Sequence, residues 1–410
     1  MHKIVITGLG VVSPLGAGVD ISWKSLLSGH CAARNLTLCE GDFRRLGQKV
    51  GNAQVAAPLL QVKTDNVFKH PRHLGFALAA ATEAMTDAAL PFDRCIGVAF
   101  GCGMPGLDQT EAFLRQERRA SPYLIYSLLA STPASFLCKE LGLKRIGPVT
   151  SPSAACATGS QAIIDAFNML QSDDAVDAII AGATETPINY TSICGFHTIR
   201  ALSTRFNATP EQASRPFDAQ RDGFVLGEGA GAVVLERLER AKQRGAHIYA
   251  EIVGVGATVD ESAHPTLPDP KGRGAKMAIE KALLNADRSA VKAVYAHGTG
   301  TPLGDDIELG VISSLFKSDI LVTAPKASIG HALGASGAIE LAFACKSLQS
   351  NIVPGIASLQ TPIMHAPNVK LSKEPVAIAS PVPWIILKNS FGFGGINCAV
   401  AIKQYLASDG

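Results

Sequence analysis

Three side chains carry reactive groups in sequence contexts that suit catalysis. Cys156 lies in the run SPSAACATGS (residues 151–160), directly before a pattern with helical spacing. A thiol at a helix start faces free backbone N–H groups and the positive end of the helix dipole, which favour the reactive thiolate. His297 and His331 stand far downstream in the motifs HGTGTP and KASIGH. Small neighbours leave room for a carbonyl to approach the sulfur, so we predict bond formation through a covalent cysteine intermediate.

Each histidine lies in a segment rich in glycine. His297 is predicted to follow a strand, which is a usual place for functional side chains in parallel α/β folds. Thr299 and Thr301 alternate behind it, so both hydroxyls can face one direction and bind an extended, amide-bearing substrate. A capped turn before a helix starting at Asp305 explains the two threonines equally well. A lone cysteine or histidine is more often structural than catalytic, but the three together favour a catalytic site.

Two glycine-rich segments have contrasting interpretations. The segment NSFGFGGIN (389–397) predicts a flexible loop whose phenylalanines gate a pocket and whose backbone helps to bind an oxyanion. The alternative is a hairpin-like turn whose phenylalanines pack in the core. The segment GCGMPG (101–106) matches a dinucleotide-binding pattern, but Pro105 removes a backbone donor and no well-placed acidic residue follows. We therefore do not predict dinucleotide binding.

The composition is that of a core-rich globular protein. Of the 410 residues, 47% are apolar and 18% are charged, and the net charge of +2 gives no reason to expect nucleic-acid binding. The nine cysteines include no C-x-x-C pair and no cluster with histidine, so we expect reduced thiols and no metal site. No apolar run reaches membrane-spanning length, and no targeting segment is apparent. We expect a soluble intracellular protein, of the cytoplasm or, if a transit peptide is trimmed, of the mitochondrial matrix.

Strands alternate with helices along the whole chain. This alternation predicts an α/β protein with mainly parallel sheets buried on both faces. The length exceeds the size of a single hydrophobic core, about 250–300 residues. We place an N-terminal half with the nucleophile at 1–245 and a C-terminal half with both histidine motifs and the glycine loop at 246–410. These two halves must bring Cys156 and the histidines together.

Taken together, these motifs resemble the elongating β-ketoacyl-acyl carrier protein synthases of the thiolase superfamily. The resemblance covers essentially the whole chain and includes four longer motifs, which are IVITGLGVVSPLG (4–16), RALST (200–204), SRPFD (214–218) and RDGFVLGEGAG (221–231). It is strongest with the type that extends medium and long acyl chains, including the mitochondrial branch. It implies a five-layered αβαβα fold of two duplicated mixed-sheet halves, and a homodimer.

The resemblance also implies a reaction, the decarboxylative Claisen condensation of fatty acid chain elongation. Cys156 would take an acyl group from acyl carrier protein, and malonyl-acyl carrier protein would then be decarboxylated to an enolate that attacks the acyl thioester. The N–H groups of Cys156 and Phe393 would form the oxyanion hole, and neutral His297 and His331 would bind the malonyl thioester oxygen. The resemblance further implies that Lys326 and Glu340 support His331 and that Thr299 and Thr301 bind the pantetheine arm. Phe391 and Phe393 would gate the pocket, and Met104 and Phe196 would line the acyl channel. Lys69 and Arg200 would contact the carrier protein.

The chain departs from the family pattern near the reactive residues. Ala154 stands in place of a threonine, Ala327 in place of a serine, and His197 where a small residue is common. Tyr295 replaces a common asparagine near a monovalent cation site that some members have. Apart from that cation, the resemblance implies no cofactor and no metal, because the substrates carry their own phosphopantetheine.

Two alternatives to fatty acid elongation follow from the same residues. A condensing enzyme of polyketide or other specialised synthesis would keep the chemistry and differ in the pocket around Met104, Phe196 and His197. A non-catalytic partner subunit would lack the nucleophile, and Cys156 with two histidines argues against it. A priming synthase would pair its cysteine with one histidine and one asparagine, which the two histidine motifs disfavour.

Overall fold

The computed structural model describes residues 2–36, 55–57, 71–115, 122–261, 264–363 and 367–406. In these residues the strands are β1 (Ile4–Ser13), β2 (Gly16–Ala17), β3 (Arg34–Asn35), β4 (Val55–Ala57), β5 (Cys95–Cys102), β6 (Arg145–Thr150), β7 (Ala178–Glu185), β8 (Leu226–Gly227), β9 (Gly229–Arg237), β10 (Ala250–Val259), β11 (Val291–Tyr295), β12 (Ile320–Thr323), β13 (Ile352–Val353), β14 (Val369–Leu371), β15 (Val376–Ala377), β16 (Ile385–Gly392) and β17 (Ile396–Gln404).

Helices alternate with these strands, as the sequence predicts. Those in the described residues are α1 (Val19–Leu27), α2 (Arg72–Asp87), α3 (Leu107–Leu114), α4 (Leu124–Leu128), α5 (Thr132–Glu140), α6 (Thr158–Ser172), α7 (Tyr190–Thr198), α8 (Leu238–Gln243), α9 (Arg273–Ala282), α10 (Pro302–Leu315), α11 (Lys326–Ile329) and α12 (Ser336–Ser350). None of them is long and apolar enough to cross a membrane.

Most strands belong to one mixed sheet of 12 strands. Its order is β14-β12-β11-β16-β17-β10-β1-β9-β7-β5-β6, with β2 paired to β1, and β1 meets β10 antiparallel in the middle. Outward from this junction, each half has two antiparallel pairings followed by parallel ones. The repeated series confirms two duplicated mixed-sheet halves.

The expectation of mainly parallel sheets is wrong, because β9 and β17 run antiparallel to both of their neighbours. For β17 the cause is local. Only residues 393–395 separate it from β16, and a turn this short can join only antiparallel strands.

The helices form three layers around the two halves of the sheet. In the central layer, α6 and α12 pack against each other and against strands of both halves. On the outside, α2 and α5 cover the first half, and α9 with α10 covers the second. This is the five-layered αβαβα arrangement that the resemblance implies. Cys156 precedes one central helix and His331 precedes the other, so the central layer brings the two halves of the site together.

The central helix α12 and the segment before it are enclosed by the rest of the protein. Residues 331–345 are all buried, and most of them are small or apolar. Glu340 lies in the middle of this stretch and is fully buried. A carboxylate in such a position requires partners within the protein interior.

Candidate active site

Cys156 lies at a sharp turn between β6 and α6. It belongs to a 3-10 turn, Ala155–Ala157, that leads into the helix. Ala155 has a φ of 47°, a left-handed conformation that residues other than glycine adopt only under constraint. The Thr158 hydroxyl supplies that constraint, since it accepts from the Ala154 N–H at 2.9 Å and donates to the Ala155 carbonyl at 2.7 Å. The turn holds the sulfur at the helix start, as the sequence predicts.

Two backbone N–H groups are directed at the Cys156 sulfur, one from Cys156 itself and one from Phe393. Phe393 follows Gly392 in the turn between β16 and β17. A Cβ on Gly392 would lie only 2.7 Å from the carbonyl oxygen of Ala154, so this close approach of two backbones needs glycine. A pair of convergent N–H donors is the arrangement that stabilises an oxyanion.

Burial sets the protonation state of the nucleophile. Cys156 is only 8% exposed. Burial raises the pKa of its thiol to about 12, although Lys326 and the two N–H donors act in the opposite direction. The N–H groups favour the thiolate, as the sequence predicts, but desolvation of the charged form outweighs them in the resting protein. The nucleophile rests as a thiol and must lose its proton as it attacks.

His297 and His331 face each other in the same cavity as Cys156. Their ring centroids are 5.4 Å apart and the ring planes lie at 82°. Burial, with a further contribution from Lys326, holds the pKa of both imidazoles well below the usual value, so they are neutral at pH 7. The Ser336 hydroxyl lies 3.1 Å from Nδ1 of His331. With that hydroxyl donating to Nδ1, the N–H of His331 is at Nε2.

Three buried charged residues, Glu308, Lys326 and Glu340, lie close to the histidine motifs. Glu308 accepts hydrogen bonds from the backbone N–H groups of His297 and Gly298, each at 2.8 Å. Lys326 and Glu340 form a buried ion pair with a distance of 2.7 Å between Nζ and Oε1. Neither Lys326 nor Glu340 lines the cavity, and of the two only Lys326 contributes to the low pKa of the histidines.

A cavity of about 330 Å³ joins the reactive groups to the residues that the resemblance assigns to substrates. Its walls include Thr299, Thr301, Phe196, Phe391, Phe393 and the exposed Arg200. Phe391, near the end of β16, and Phe393, in the turn after it, thus line the cavity, and the alternative that they pack in the core is not observed. The loop expected over 389–397 is shorter than predicted, because residues 389–392 and 396–397 pair as strands.

The two threonine hydroxyls lie 3.1 Å apart. Thr301 precedes α10, which begins at Pro302, but its side chain does not cap that helix. Helix capping therefore does not explain the pair.

The remaining predicted residues lie elsewhere. Met104 packs in an apolar cluster with Cys156, Phe196 and Leu333 but does not line the cavity. Lys69, the second predicted carrier-protein contact, lies outside the described residues.

Sequence reasoning missed three buried charged residues, Glu185, Glu308 and Lys388. Glu185 accepts hydrogen bonds from the backbone N–H groups of Gly103, Met104 and Gly334. This contact explains part of the GCGMPG segment, which turns its backbone toward a carboxylate of the protein itself. A signal was available for Glu185 and Lys388, since each is the single charged residue in its strand.

Comparison with known proteins gives this geometry a family. Residues 1–241 match the Beta-ketoacyl synthase, N-terminal domain, and residues 249–360 match the Beta-ketoacyl synthase, C-terminal domain. The chain belongs to the beta-ketoacyl synthase family. This synthase is accordingly an acyltransferase, and it carries out a condensation step in fatty acid elongation.

The relatives of the synthase match it over nearly their full length. It is 39% identical to 3-oxoacyl-[acyl-carrier-protein] synthase 2 of Rhizobium meliloti, over 99% of both chains. It is 35% identical to the mitochondrial 3-oxoacyl-[acyl-carrier-protein] synthase of Arabidopsis thaliana, over 97% of this chain and 92% of that protein.

Two solved structures share the fold of the synthase, each with a TM-score of 0.85, 30% identity and coverage of 99% of this chain and 100% of the other. One is a type II polyketide ketosynthase in complex with its acyl carrier protein and bound to a hexaketide. The other is a beta-ketoacyl synthase from Burkholderia phymatum.

Proposed function

We propose that the synthase extends an acyl chain held on Cys156 by two carbons taken from malonyl-acyl carrier protein, and releases 3-oxoacyl-acyl carrier protein. The observation that carries this proposal is the position of a thiol, with two N–H groups directed at its sulfur, in one cavity with two neutral imidazoles. The N–H groups suit the oxyanion of an acyl transfer, and the imidazoles suit an enolate oxygen.

In the first step, the Cys156 sulfur attacks the thioester carbonyl of acyl-acyl carrier protein. A carbon–sulfur bond forms to Cys156, and the bond to the pantetheine sulfur breaks. The thiol proton leaves Cys156 and ends on the departing pantetheine thiol. The N–H groups of Cys156 and Phe393 stabilise the oxyanion between these events.

In the second step, malonyl-acyl carrier protein enters and loses carbon dioxide. The electron pair of the broken carbon–carbon bond becomes an enolate, whose oxygen accepts hydrogen bonds from His297 and His331. The enolate carbon attacks the acyl-Cys156 carbonyl, a carbon–carbon bond forms, and the cysteine sulfur leaves as a thiolate that takes up a proton from water. Neutral imidazoles suit this role, because each carries one N–H group that can donate a hydrogen bond to the enolate oxygen.

The cavity walls suit the remaining parts of the substrates. Thr299 and Thr301 present hydroxyls to the pantetheine amides, and Phe391 and Phe393 gate the pocket. Phe196, in the cavity wall, and Met104, which does not line the cavity but packs in the same apolar cluster around Cys156, are assigned to the acyl channel. Lys326 and Glu340 support the electrostatics of His331 from behind the cavity.

The partner that delivers both substrates is proposed to be an acyl carrier protein. The names of the similar synthases contain this carrier, and one structural neighbour is bound to its own acyl carrier protein. Arg200 is exposed and lies in the cavity wall, where a cation suits an acidic carrier surface. Lys69 is proposed as a second contact on the strength of the resemblance alone.

Mass spectrometry of the intact protein tests the reaction. The synthase is mixed with acyl-acyl carrier proteins of several chain lengths, and malonyl-acyl carrier protein is added afterwards. We expect an acyl adduct on Cys156 that disappears as 3-oxoacyl product forms, and no adduct on Cys156→Ala. An adduct only with polyketide-like acyl groups would favour specialised synthesis, and no adduct at any length would reject the proposal.

We also propose that the synthase forms a homodimer through β6. In the part of the chain that the structure describes, β6 is an edge of the large sheet and pairs only with β5. Ile146 and Val149 on this strand are 53% and 42% exposed, and Ile125, Leu128 and Leu129 in the same half of the chain are also exposed. An exposed apolar edge strand is a site for pairing with another chain, and a second copy offers the same edge.

The proposed chemistry uses only side chains, backbone N–H groups and the thioesters of the substrates, and it includes no resident cofactor. The proposed compartment is the cytoplasm or the mitochondrial matrix, because the similar proteins include both bacterial and mitochondrial ones. Fractionation of cells that produce the tagged protein distinguishes these two locations.

A further inference from the structure

A second lysine lies in the protein interior behind the two histidines. Lys388, in β16, is fully buried, and its Nζ is 2.8 Å from Oε2 of Glu340. The other oxygen of the same carboxylate is 2.7 Å from Nζ of Lys326. The Lys388 ammonium also donates to the carbonyl of Asn389 and, at 3.2 Å, to the hydroxyl of Ser390. One buried carboxylate therefore joins two buried ammonium groups.

Stability alone does not account for this second charge. Moving an ammonium group into the interior costs several kcal/mol of desolvation. Lys326 already neutralises Glu340, so Lys388 is not needed to pair that carboxylate. Its neighbours Ile386 and Leu387 are buried and apolar, and an apolar side chain in the same strand would avoid the desolvation. A residue that is costly to bury and placed beside an active site is a candidate for a functional role.

The contacts of Lys388 lead to both parts of the active site. Ser390 shares a hydrogen bond of 2.8 Å with Ser160, which lies in the first turn of the helix after Cys156. Phe391, the next residue, lies against His297 with ring centroids 5.6 Å apart. The positive charge also acts on the two imidazoles, since Lys388 is one of the causes that hold the pKa of His297 and of His331 low. Burial lowers the pKa of Lys388 itself, and Glu340 opposes that effect.

The surroundings of Lys388 do not fit a bound monovalent cation, which the resemblance implies for some members near position 295. Tyr295 is directly opposite Lys388 in the parallel pairing of β11 with β16. Its hydroxyl bonds to Ser347 at 2.7 Å and to the carbonyl of Phe343 at 3.3 Å. Carboxylate, carbonyl and hydroxyl oxygens are the ligands that hard cations prefer. In this synthase, oxygens of these three kinds already bind the Lys388 ammonium.

We propose that Lys388 is a positioning residue whose ammonium group takes the place of a bound monovalent cation. It holds Glu340 and the end of β16 beside the histidines, so that the synthase needs no metal ion there. This inference rests on the proposed function, because it explains how the histidine site is kept in order. It depends on a lysine at 388 that lies opposite a tyrosine at 295.

The first test measures the cation dependence of the unaltered synthase. Malonyl-acyl carrier protein decarboxylation and thermal unfolding are followed in buffers whose only added cation is potassium, sodium or the bulky choline. We expect the same rate and the same unfolding temperature in all three. A synthase that loses activity or stability in choline and regains it in potassium or sodium would overturn the proposal. A synthase without turnover in any buffer would reject the proposed function instead, and its unfolding temperatures would still test the inference.

The second test removes the charge. In choline buffer, Lys388→Ala is expected to lose about 10- to 100-fold in decarboxylation rate, the usual effect of removing a group that orients catalytic residues. Potassium, sodium or methylammonium ions are expected to restore the rate, because the deleted side chain leaves space for a small cation. Lys388→Met fills that space without a charge and is expected to lose activity without recovery. The exposed Lys370, changed to Met, is the control for general effects of salt.

Folding is monitored by circular dichroism for each variant. A folded Lys388→Ala that no small cation restores would overturn the proposal, and so would a Lys388→Met that is fully active in choline. If Lys388→Ala does not fold, the decision rests on Lys388→Met and on the cation independence of the unaltered synthase.

Discussion

At the scale of single residues, burial makes the reactive groups uncharged. It raises the pKa of the Cys156 thiol and lowers the pKa of His297 and His331, because desolvation penalises thiolate and imidazolium alike. The charged groups Lys326 and Glu340 are kept behind the cavity, paired with each other. Around the sulfur, the cavity is lined by the two neutral imidazoles and by the rings of Phe391 and Phe393, while the charged Arg200 also lies in its wall.

His297→Ala should separate the two steps of the reaction. Removal of one hydrogen-bond donor to the enolate oxygen is expected to slow malonyl decarboxylation by about 100-fold or more. Acylation of Cys156 should continue, because its oxyanion is bound by backbone N–H groups. Release of labelled carbon dioxide and the mass of the acyl-enzyme measure the two steps. His247→Ala, at an exposed histidine, is the control, and normal decarboxylation by His297→Ala would contradict the assigned role.

His73 should make stability depend on pH in a defined direction. Burial lowers its pKa to about 4, and in the described part of the chain neither ring nitrogen has a hydrogen-bond partner. The unfolded chain binds a proton near pH 6.5 and the folded one does not, so this residue costs stability as the pH falls below 6.5. At pH 5 the cost is about 2 kcal/mol.

The comparison with His73→Leu isolates that cost. Urea unfolding at pH 8 and pH 5 gives, for each protein, the change in unfolding free energy between the two pH values. Other groups, such as Asp305, whose burial raises its pKa to about 7, titrate in both proteins, so their effect cancels in the comparison. We expect the variant to lose about 2 kcal/mol less than the parent between these pH values. Equal losses in the two proteins would show that His73 is not held neutral by the fold.

At the scale of secondary structure elements, the site depends on how closely the two central helices approach. A Cβ on Gly159, in α6, would lie 2.8 Å from the backbone nitrogen of Ala338 and 3.0 Å from the carbonyl oxygen of Gly334. Gly159 lies three residues after Cys156, and Gly334 three after His331. The spacing of α6 and α12 therefore sets the spacing of the nucleophile and the second histidine.

Gly159→Ala should separate these helices. We expect a loss of about 1–3 kcal/mol in unfolding free energy, the usual effect of overpacking, together with slower acylation of Cys156. The matched control is Gly310→Ala, in α10, where an added Cβ meets no atom within 4 Å. That change should stabilise the protein by about 0.5–1 kcal/mol through helix propensity. Urea unfolding of both variants measures the contrast, and equal effects would show that the central helices tolerate the extra methyl group.

At the scale of the whole molecule, the duplicated halves create both the site and a surface. Their junction at β1 and β10 encloses the central helices, while the far edge of the first half leaves β6 with exposed apolar side chains. The proposed homodimer would cover this edge with the same edge of a second copy. Such an interface is isologous, so one substitution changes both of its sides.

Two charges on β6 should prevent dimer formation. Ile146→Lys combined with Val149→Lys places four added cations at a two-fold interface and is expected to give a monomer. Light scattering during size-exclusion chromatography measures the mass. Leu284→Lys introduces a charge at a residue that is 77% exposed elsewhere on the surface and should leave the dimer intact. A monomeric parent protein, or a double variant that remains dimeric, would argue against this interface.

The sequence by itself determined the chemistry and the class of fold. Small residues around Cys156, glycine turns beside two histidines and alternating strands and helices are local patterns, and local patterns are set by backbone geometry and hydrophobic periodicity. They were sufficient to predict the helix after Cys156, the strand before His297 and the glycine-rich turn that carries Phe393. The resemblance, which rests on the same residues, added the duplicated halves and the assignments of Lys326 and Glu340.

Only the tertiary structure decided which charges are buried and what faces them. The protonation of Cys156 depends on desolvation by residues from several distant segments, so its helix start was not enough to predict a thiolate. The antiparallel position of β9 depends on pairing with β1 and β7, which are remote in sequence. In the local sequence Lys388 is only a charged residue in a strand, and the role proposed for it depends on its contact with Glu340, 48 positions away. Long-range packing and the low dielectric of the interior are properties of the assembled fold.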